Sequence, residues 1–360
     1  MNAWLFSKRL DLWAFVGSFG LSMVALAIGA AAGVLDGDTP GWAWIPAILM
    51  VDVAHVWSTA YRTYFVPSEL ARRPWLYTMV PAFGFVIATL LYSRGELTFW
   101  RALAYLAIFH FVRQQHGWVM LYRARGKETQ GRLLDSAAIY AATLWPLVYW
   151  HAHAPLRIDW FFTGDIVAIP KIVATITFPF YVAALGAYLV RAVSRYARGS
   201  GTIGKDIVVV TTAISWLVGI VIFGSDYAFT VTNVFMHGIP YFFLVFVTTR
   251  NGRAAGAPKK RTPVFASSIF AFIGIVWLIA YGEELIWDRA VWQERPWLFG
   301  AAWNLDALKW ILVPLLALPQ LTHYLLDAFL WKRRQNPDVR ALVGSSSENI
   351  GEESELQRAS

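Results

Sequence analysis

The stretch Leu318–Trp331, LPQLTHYLLDAFLW, lies inside the last long apolar run of the chain, Trp303–Trp331. Its composition predicts a helix, and the four-residue spacing of His323 and Asp327 puts both on one face, one turn apart. An imidazole and a carboxylate within an apolar run of that length are costly in a bilayer unless partners, water or a metal hold them. Four more histidines fall inside three other apolar runs, so one polar constellation is shared among several membrane helices.

The whole composition agrees with a membrane chain. Of 360 residues, 57% are hydrophobic and only 15% charged, against about 25% charged in soluble domains. The charges stand between long apolar runs, which predicts an all-α, polytopic transmembrane helical bundle. The absence of cysteine excludes disulfides, thiolate ligands, iron–sulfur clusters and cysteine nucleophiles. The net charge of +8 comes from loop residues on one side of the membrane, so topology explains it and no nucleic-acid partner is expected. Leu12–Leu35 is too long for a signal-peptide core and reads as a first spanning helix.

At about 20 apolar residues per crossing, ten spans follow: Leu12–Leu35, Trp42–Tyr61, Trp75–Ser93, Leu97–Tyr122, Leu133–Trp150, Val167–Val193, Gly204–Gly224, Tyr227–Thr248, Pro263–Tyr281 and Trp303–Trp331. With the first end cytoplasmic, that side receives Lys8 and Arg9, then Arg62, Arg72 and Arg73, then Arg123 to Arg132. It also receives Arg191 to Lys205, Arg250 to Arg261, and Lys332 to Arg334. The opposite loops are neutral, mixed or acidic, as the positive-inside rule requires. Ten spans with both termini cytoplasmic satisfy this alternation. Tryptophans 42, 44, 75, 100, 150, 160, 297 and 303 fall near helix ends and read as interfacial belts. Two regions follow: a transmembrane domain over 1–335 and a polar, disordered cytoplasmic tail over 336–360.

Counting back from the basic residue at each cytoplasmic end, at 1.5 Å per residue, His55, His116 and His323 lie about 10–14 Å deep. His110 and His237 lie about 20 Å deep on the same count. Asp52 shares a face with His55, as Asp327 does with His323. Imidazole ligates zinc, iron, copper and nickel, and a neighbouring carboxylate either completes the site or fixes a ligating ring. His110 and His116 are six apart and point about 120° from each other on a regular helix, so one metal cannot take both without a bulge. Arg113 lies too deep to snorkel and is expected to pair with Asp52 or Asp327. Asn233, one turn from His237, is expected to orient it. His151 and His153 lie at the outer end of the fifth span and read as solvated.

The pattern resembles membrane-embedded, histidine-rich non-heme iron enzymes, nearest the bacterial β-carotene-cleaving dioxygenases that form retinal. The residues that carry the resemblance are His55 with Asp52, the run His110-Phe-Val-Arg-Gln-Gln-His116, Met236-His237-Gly238, and Leu318–His323 with Asp327. No proline directly precedes a histidine here, and Asp52 precedes its histidine where the family's carboxylate follows. The His-x-x-His-His boxes of fatty-acid desaturases are absent. The resemblance implies histidine-bound non-heme iron.

The first functional expectation is therefore a membrane-embedded non-heme iron oxygenase of dioxygenase, hydroxylase or desaturase type. Its cofactor would be one or two iron ions, or another transition metal. His55, His116, His237 and His323 are expected as ligands with His110 in reserve, and Asp52, Asp327 and Arg113 as catalytic side chains. Its partners would be a lipophilic substrate entering from the bilayer, dioxygen, membrane lipids and an electron donor. The expected location is a bacterial inner (plasma) membrane. The alternatives are a proton-coupled transporter or channel using the same His/Asp/Arg groups, and a haem protein holding one haem between His110 and His237.

Overall fold

The computed structural model describes residues 4–252 and 268–344. Every apolar run named above is helical over most of its described length, and no strand occurs among the described residues. The helices are α1 (Lys8–Ala32), α2 (Gly41–Arg62), α3 (Pro74–Tyr92), α4 (Glu96–Arg125), α5 (Arg132–His153), α6 (Lys171–Ala197), α7 (Ile203–Phe223), α8 (Asp226–Arg250), α9 (Ile269–Trp292), α10 (Asp306–Leu330) and α11 (Pro337–Gly344). Eight of them, α1–α3 and α6–α10, are long and apolar enough to cross a membrane. This is a membrane protein. The two long helices that fall short of that hydropathy, α4 and α5, carry Arg101, Arg113, His110 and His116, and Arg132 and Asp135, respectively. Both instead bury long stripes of side chain inside the bundle.

Large apolar side chains cover the outside: Trp75, Phe83, Leu90, Phe109, Phe180, Val190, Phe270 and Leu278 are all exposed. In water such a surface would drive association; in hydrocarbon it is the expected one. The inside is taken up by α8, which packs on α1, α2 and α4. Its residues from Tyr227 to Phe242 are almost all buried. Two of the central helices widen into π-turns, at Ile45–Val53 in α2 and at Thr230–Val234 in α8. Each widening ends just before a histidine, His55 or His237, and such π-turns recur at functional sites because they re-aim the following turn.

Three expectations are corrected by the packing. The tail does not begin at 336: Asn336 is fully buried, and α11 buries Val339 and inserts Leu342 and Val343 beside Leu5, Phe15, Trp118 and Tyr122. Its apolar face suffices to dock it, and only 345–360 of the expected tail lies outside the described residues. Leu5 and Leu342 share that cluster, so the described ends meet at one end of the bundle. Second, Arg62, expected among the basic residues of the cytoplasmic side, lies inside the protein. It is 5% exposed, pairs with Asp338 of α11, donates to Thr248 Oγ1 at 2.9 Å and lies 4.6 Å over the Trp331 ring. Third, the belt reading holds for Trp42, Trp75 and Trp297, which are exposed, but Trp44, Trp100 and Trp150 are buried. Trp100 packs 5.0 Å from Trp292 and 5.8 Å from Trp287. The expected start of the ninth span, 263–267, lies outside the described residues.

Candidate metal centre

Each of α2, α4, α8 and α10 delivers one histidine to a common point. One ring nitrogen from each of His55, His110, His237 and His323 lies within 4.8 Å of the other three, and all four residues are buried. Metal–nitrogen bonds of about 2.0–2.2 Å place ligand atoms roughly 3–4.4 Å apart, so the quartet is within about half an ångström of the span of a single coordination sphere. The rings form a closed cycle of edge contacts. Centroids are 4.6 Å apart for His55–His237, 5.0 Å for His237–His110, 4.5 Å for His110–His323 and 4.9 Å for His323–His55.

For two of the histidines the outward ring nitrogen shows which nitrogen turns inward. Asp327 as a carboxylate only accepts, so the Tyr241 hydroxyl donates to its Oδ1 at 2.6 Å. Thr59 Oγ1, 2.7 Å from that hydroxyl, must then donate to it, and so accepts from Nδ1 of His323, also at 2.7 Å. The His323 proton is thereby fixed on Nδ1, and Nε2 keeps its lone pair for the centre. That Nε2 is buried and without a hydrogen-bond partner. In His55, Nδ1 donates to the Val51 carbonyl at 3.3 Å, and Nε2 faces Nε2 of His237 at 2.9 Å. Nε2 of His110 is likewise buried and unpartnered. Several inward lone pairs in a dry pocket cost free energy as they stand, and a cation is the group that relieves them all together. The donor set fits a transition metal that accepts neutral imidazole.

Close backbone approach makes the convergence possible. A methyl at Gly238 would lie 2.6 Å from Val51 Cγ1 and 3.3 Å from the Val51 carbonyl oxygen. The side chain is absent where α8 crosses α2, and His237 thereby reaches His55. Phe111 then stacks on His237 with centroids 3.6 Å apart and planes 9° apart, locking that ring.

The expected site residues separate clearly. His55, His237 and His323 come together, and His110 takes the place given to His116. His116 sits 3.2 Å from Ser136 Oγ and stacks on Tyr140 at 4.8 Å, on the α5 side of α4. Because α4 is regular α-helix throughout, only one of the two histidines can face the centre. Depth counting misled here because its reference residues, Arg62 and Arg123, are buried and paired inside the protein and do not mark the membrane surface. Asp327 stands 3.8 Å from His323 Nδ1 and 3.9 Å from His110 Nε2, outside the quartet but bordering it. Asp52 Oδ1 lies 3.7 Å from His55 Nδ1.

Arg113 pairs with neither carboxylate; it is exposed and donates to the Tyr140 hydroxyl. Asn233 donates to Thr232 Oγ1 at 3.0 Å instead of orienting His237. His151 is bonded to Tyr105 and His153 to the Tyr149 carbonyl, so neither belongs to a ligand group among the described residues. No family model matches the chain, and neither a curated protein nor a solved structure matches it.

Sequence reasoning missed Thr59, Tyr241 and Phe111. A signal was present for two of them: each quartet histidine is followed four residues on by a polar side chain, Thr59, Gln114, Tyr241 or Asp327. On a helix that residue lies directly beneath the imidazole. Gln114 uses the position to donate to the His237 carbonyl at 3.1 Å, tying α4 to α8.

Proposed function

We propose that this protein is a membrane-embedded metalloenzyme, a non-heme iron oxygenase acting on a lipophilic substrate. The observation that carries the reading is the closed quartet of buried imidazoles from four helices, in which Nε2 of His110 and of His323 lack hydrogen-bond partners. The four imidazoles would hold the iron, which would supply activation of dioxygen. The resemblance to retinal-forming dioxygenases favours iron over zinc or copper, and one ligand group among the described residues favours a single ion. The chain's own residues hold the site dry. Phe111 and Tyr324 pack against His237 and His110, and Thr59, Tyr241 and Asp327 keep the His323 proton away from the centre. Substrate would enter from the bilayer, and ten spans with both ends cytoplasmic remains the topology we favour; the meeting of Leu5 with Leu342 supports an even number of crossings.

The competing readings lack such support. A transport route needs polar groups strung along the bundle, whereas these rings contact one another around a point. A haem between His110 and His237 needs a clear slot between the two rings. His55 and His323 each contact one or both of them, and Phe111 covers the face of His237. Elemental analysis of purified protein is the deciding experiment. The expected result is about one iron per chain without a Soret band. Absence of any transition metal after growth in iron-replete medium, or a haem spectrum, would overturn the proposal.

A further inference from the structure

A cavity of about 480 Å³ opens at the end of the bundle where α4, α10 and α11 meet. It is lined by Ala124, Lys127, Arg333, Arg334, Arg340, Val343 and Gly344. Four cations thus surround one concavity with an apolar side at Ala124 and Val343. Several cations at this end of the bundle are neutralised: Arg123, Arg195 and Lys205 by Glu128, Arg123, Arg191 and Lys205 by Asp135, and Arg62 by Asp338. The four around the cavity have no carboxylate partner among the described residues; the one polar contact there is Arg340 donating to the Arg334 carbonyl at 3.3 Å. Topology alone would spread such charges along the membrane face, whereas here they converge.

The turn after α4 adds a second observation. Helices commonly end on a left-handed residue, and glycine is the usual occupant. Here Gly126 comes one position early at φ −78°, and the left-handed position at φ +50° is taken by Lys127. Lys127 N donates to the Ala124 carbonyl and Glu128 N to the Arg123 carbonyl, which closes the helix. That turn sends Glu128 inward to Lys205 and Arg195 and holds Lys127 at the cavity. A lysine kept where glycine would be unstrained marks a position held for its charge.

From this cavity we infer a binding site for a phosphate-bearing anionic group, supplied in the first place by the headgroup of an anionic phospholipid. Basic pockets between membrane helices take such headgroups through charge and bidentate guanidinium contacts. The inference does not depend on the metal centre. The test uses full-length protein in nanodiscs of phosphatidylcholine, with or without phosphatidylglycerol or cardiolipin, and native mass spectrometry to count retained lipid. In parallel, inorganic pyrophosphate is titrated onto the protein in phosphatidylcholine alone.

About one anionic lipid per chain is expected to survive where phosphatidylcholine does not. Replacing both Arg333 and Arg334 by glutamine should weaken retention roughly thirtyfold. Lys127→Gly should also weaken it while leaving the melting temperature unchanged or higher, because glycine relieves the backbone strain; that separates lost binding from lost fold. Arg9→Gln, an exposed cation elsewhere on the chain, should change nothing. Pyrophosphate binding with the same dependence on Arg333, Arg334 and Lys127, without retained lipid, would keep the phosphate site and move its source to solution. Retention indifferent to these variants, or equal for phosphatidylcholine and anionic lipid with no pyrophosphate binding, overturns the inference.

Discussion

Replacing His55, His110, His237 or His323 one at a time by glutamine should reduce bound metal to a small fraction of the parent's, measured by elemental analysis, whereas His116→Gln should retain it. Equal retention in all five variants would remove the centre from this protein. Tyr241→Phe breaks the chain Asp327–Tyr241–Thr59–His323 without touching a ligand. It is expected to weaken metal affinity about 10–100-fold in a chelator competition, as outer partners of ligating imidazoles generally do. Much of this site was legible in the sequence. Three of the four quartet histidines and the bordering Asp327 followed from histidines in apolar runs and the four-residue spacing of His323 and Asp327. His110 was displaced by His116 because depth was counted from Arg62 and Arg123. Both are buried and paired within the protein, a tertiary fact that no single helix reveals.

Between elements, two contacts decide whether the site can form. The crossing of α2 and α8 at Gly238 admits no methyl group. Gly238→Ala should therefore cost about 1–3 kcal/mol by overpacking and separate His237 from His55, read as a lower melting temperature together with lost metal. A variant that melts and binds like the parent would show that the crossing is not tight. The seal of α11 is the second contact. Asp338→Asn leaves Arg62 buried without its counter-charge and should destabilise by about 3 kcal/mol, less if water reaches the pair. Converting both residues to apolar ones of similar size should recover most of that loss; failure to recover would place the effect elsewhere. The docking of α11 escaped the sequence reading because its apolar face spans barely two turns, inside a stretch whose composition is that of a solvated tail.

Across the molecule, the α4–α5 and α6–α7 connections are joined by charge. Burial pushes the Glu128 carboxyl up, but hydrogen bonds from Lys205, Thr202 and Arg195 outweigh this and bring it from 4.5 down to about 2. A carboxyl lowered by folding contributes stability that is present above its ordinary value and lost as pH falls toward the folded one. The parent should accordingly lose more melting temperature than Glu128→Gln when the pH is taken from about 4.5 to about 2. Parallel curves would show that these cations do not hold Glu128 ionised. Helical class and membrane character were plain from apolar run length, since that signal needs no tertiary information. Which tryptophans face lipid and which lie inside depends on neighbours far away in sequence, such as Trp292 beside Trp100. The quartet itself is drawn from positions 55 to 323 of a 360-residue chain. During synthesis the first three imidazoles are therefore made long before the fourth exists. Until α10 has been inserted the chamber lacks a wall, so the four imidazoles can close around any ion only as the last step of biogenesis, and a chain stalled short of its last helix would leave the chamber open.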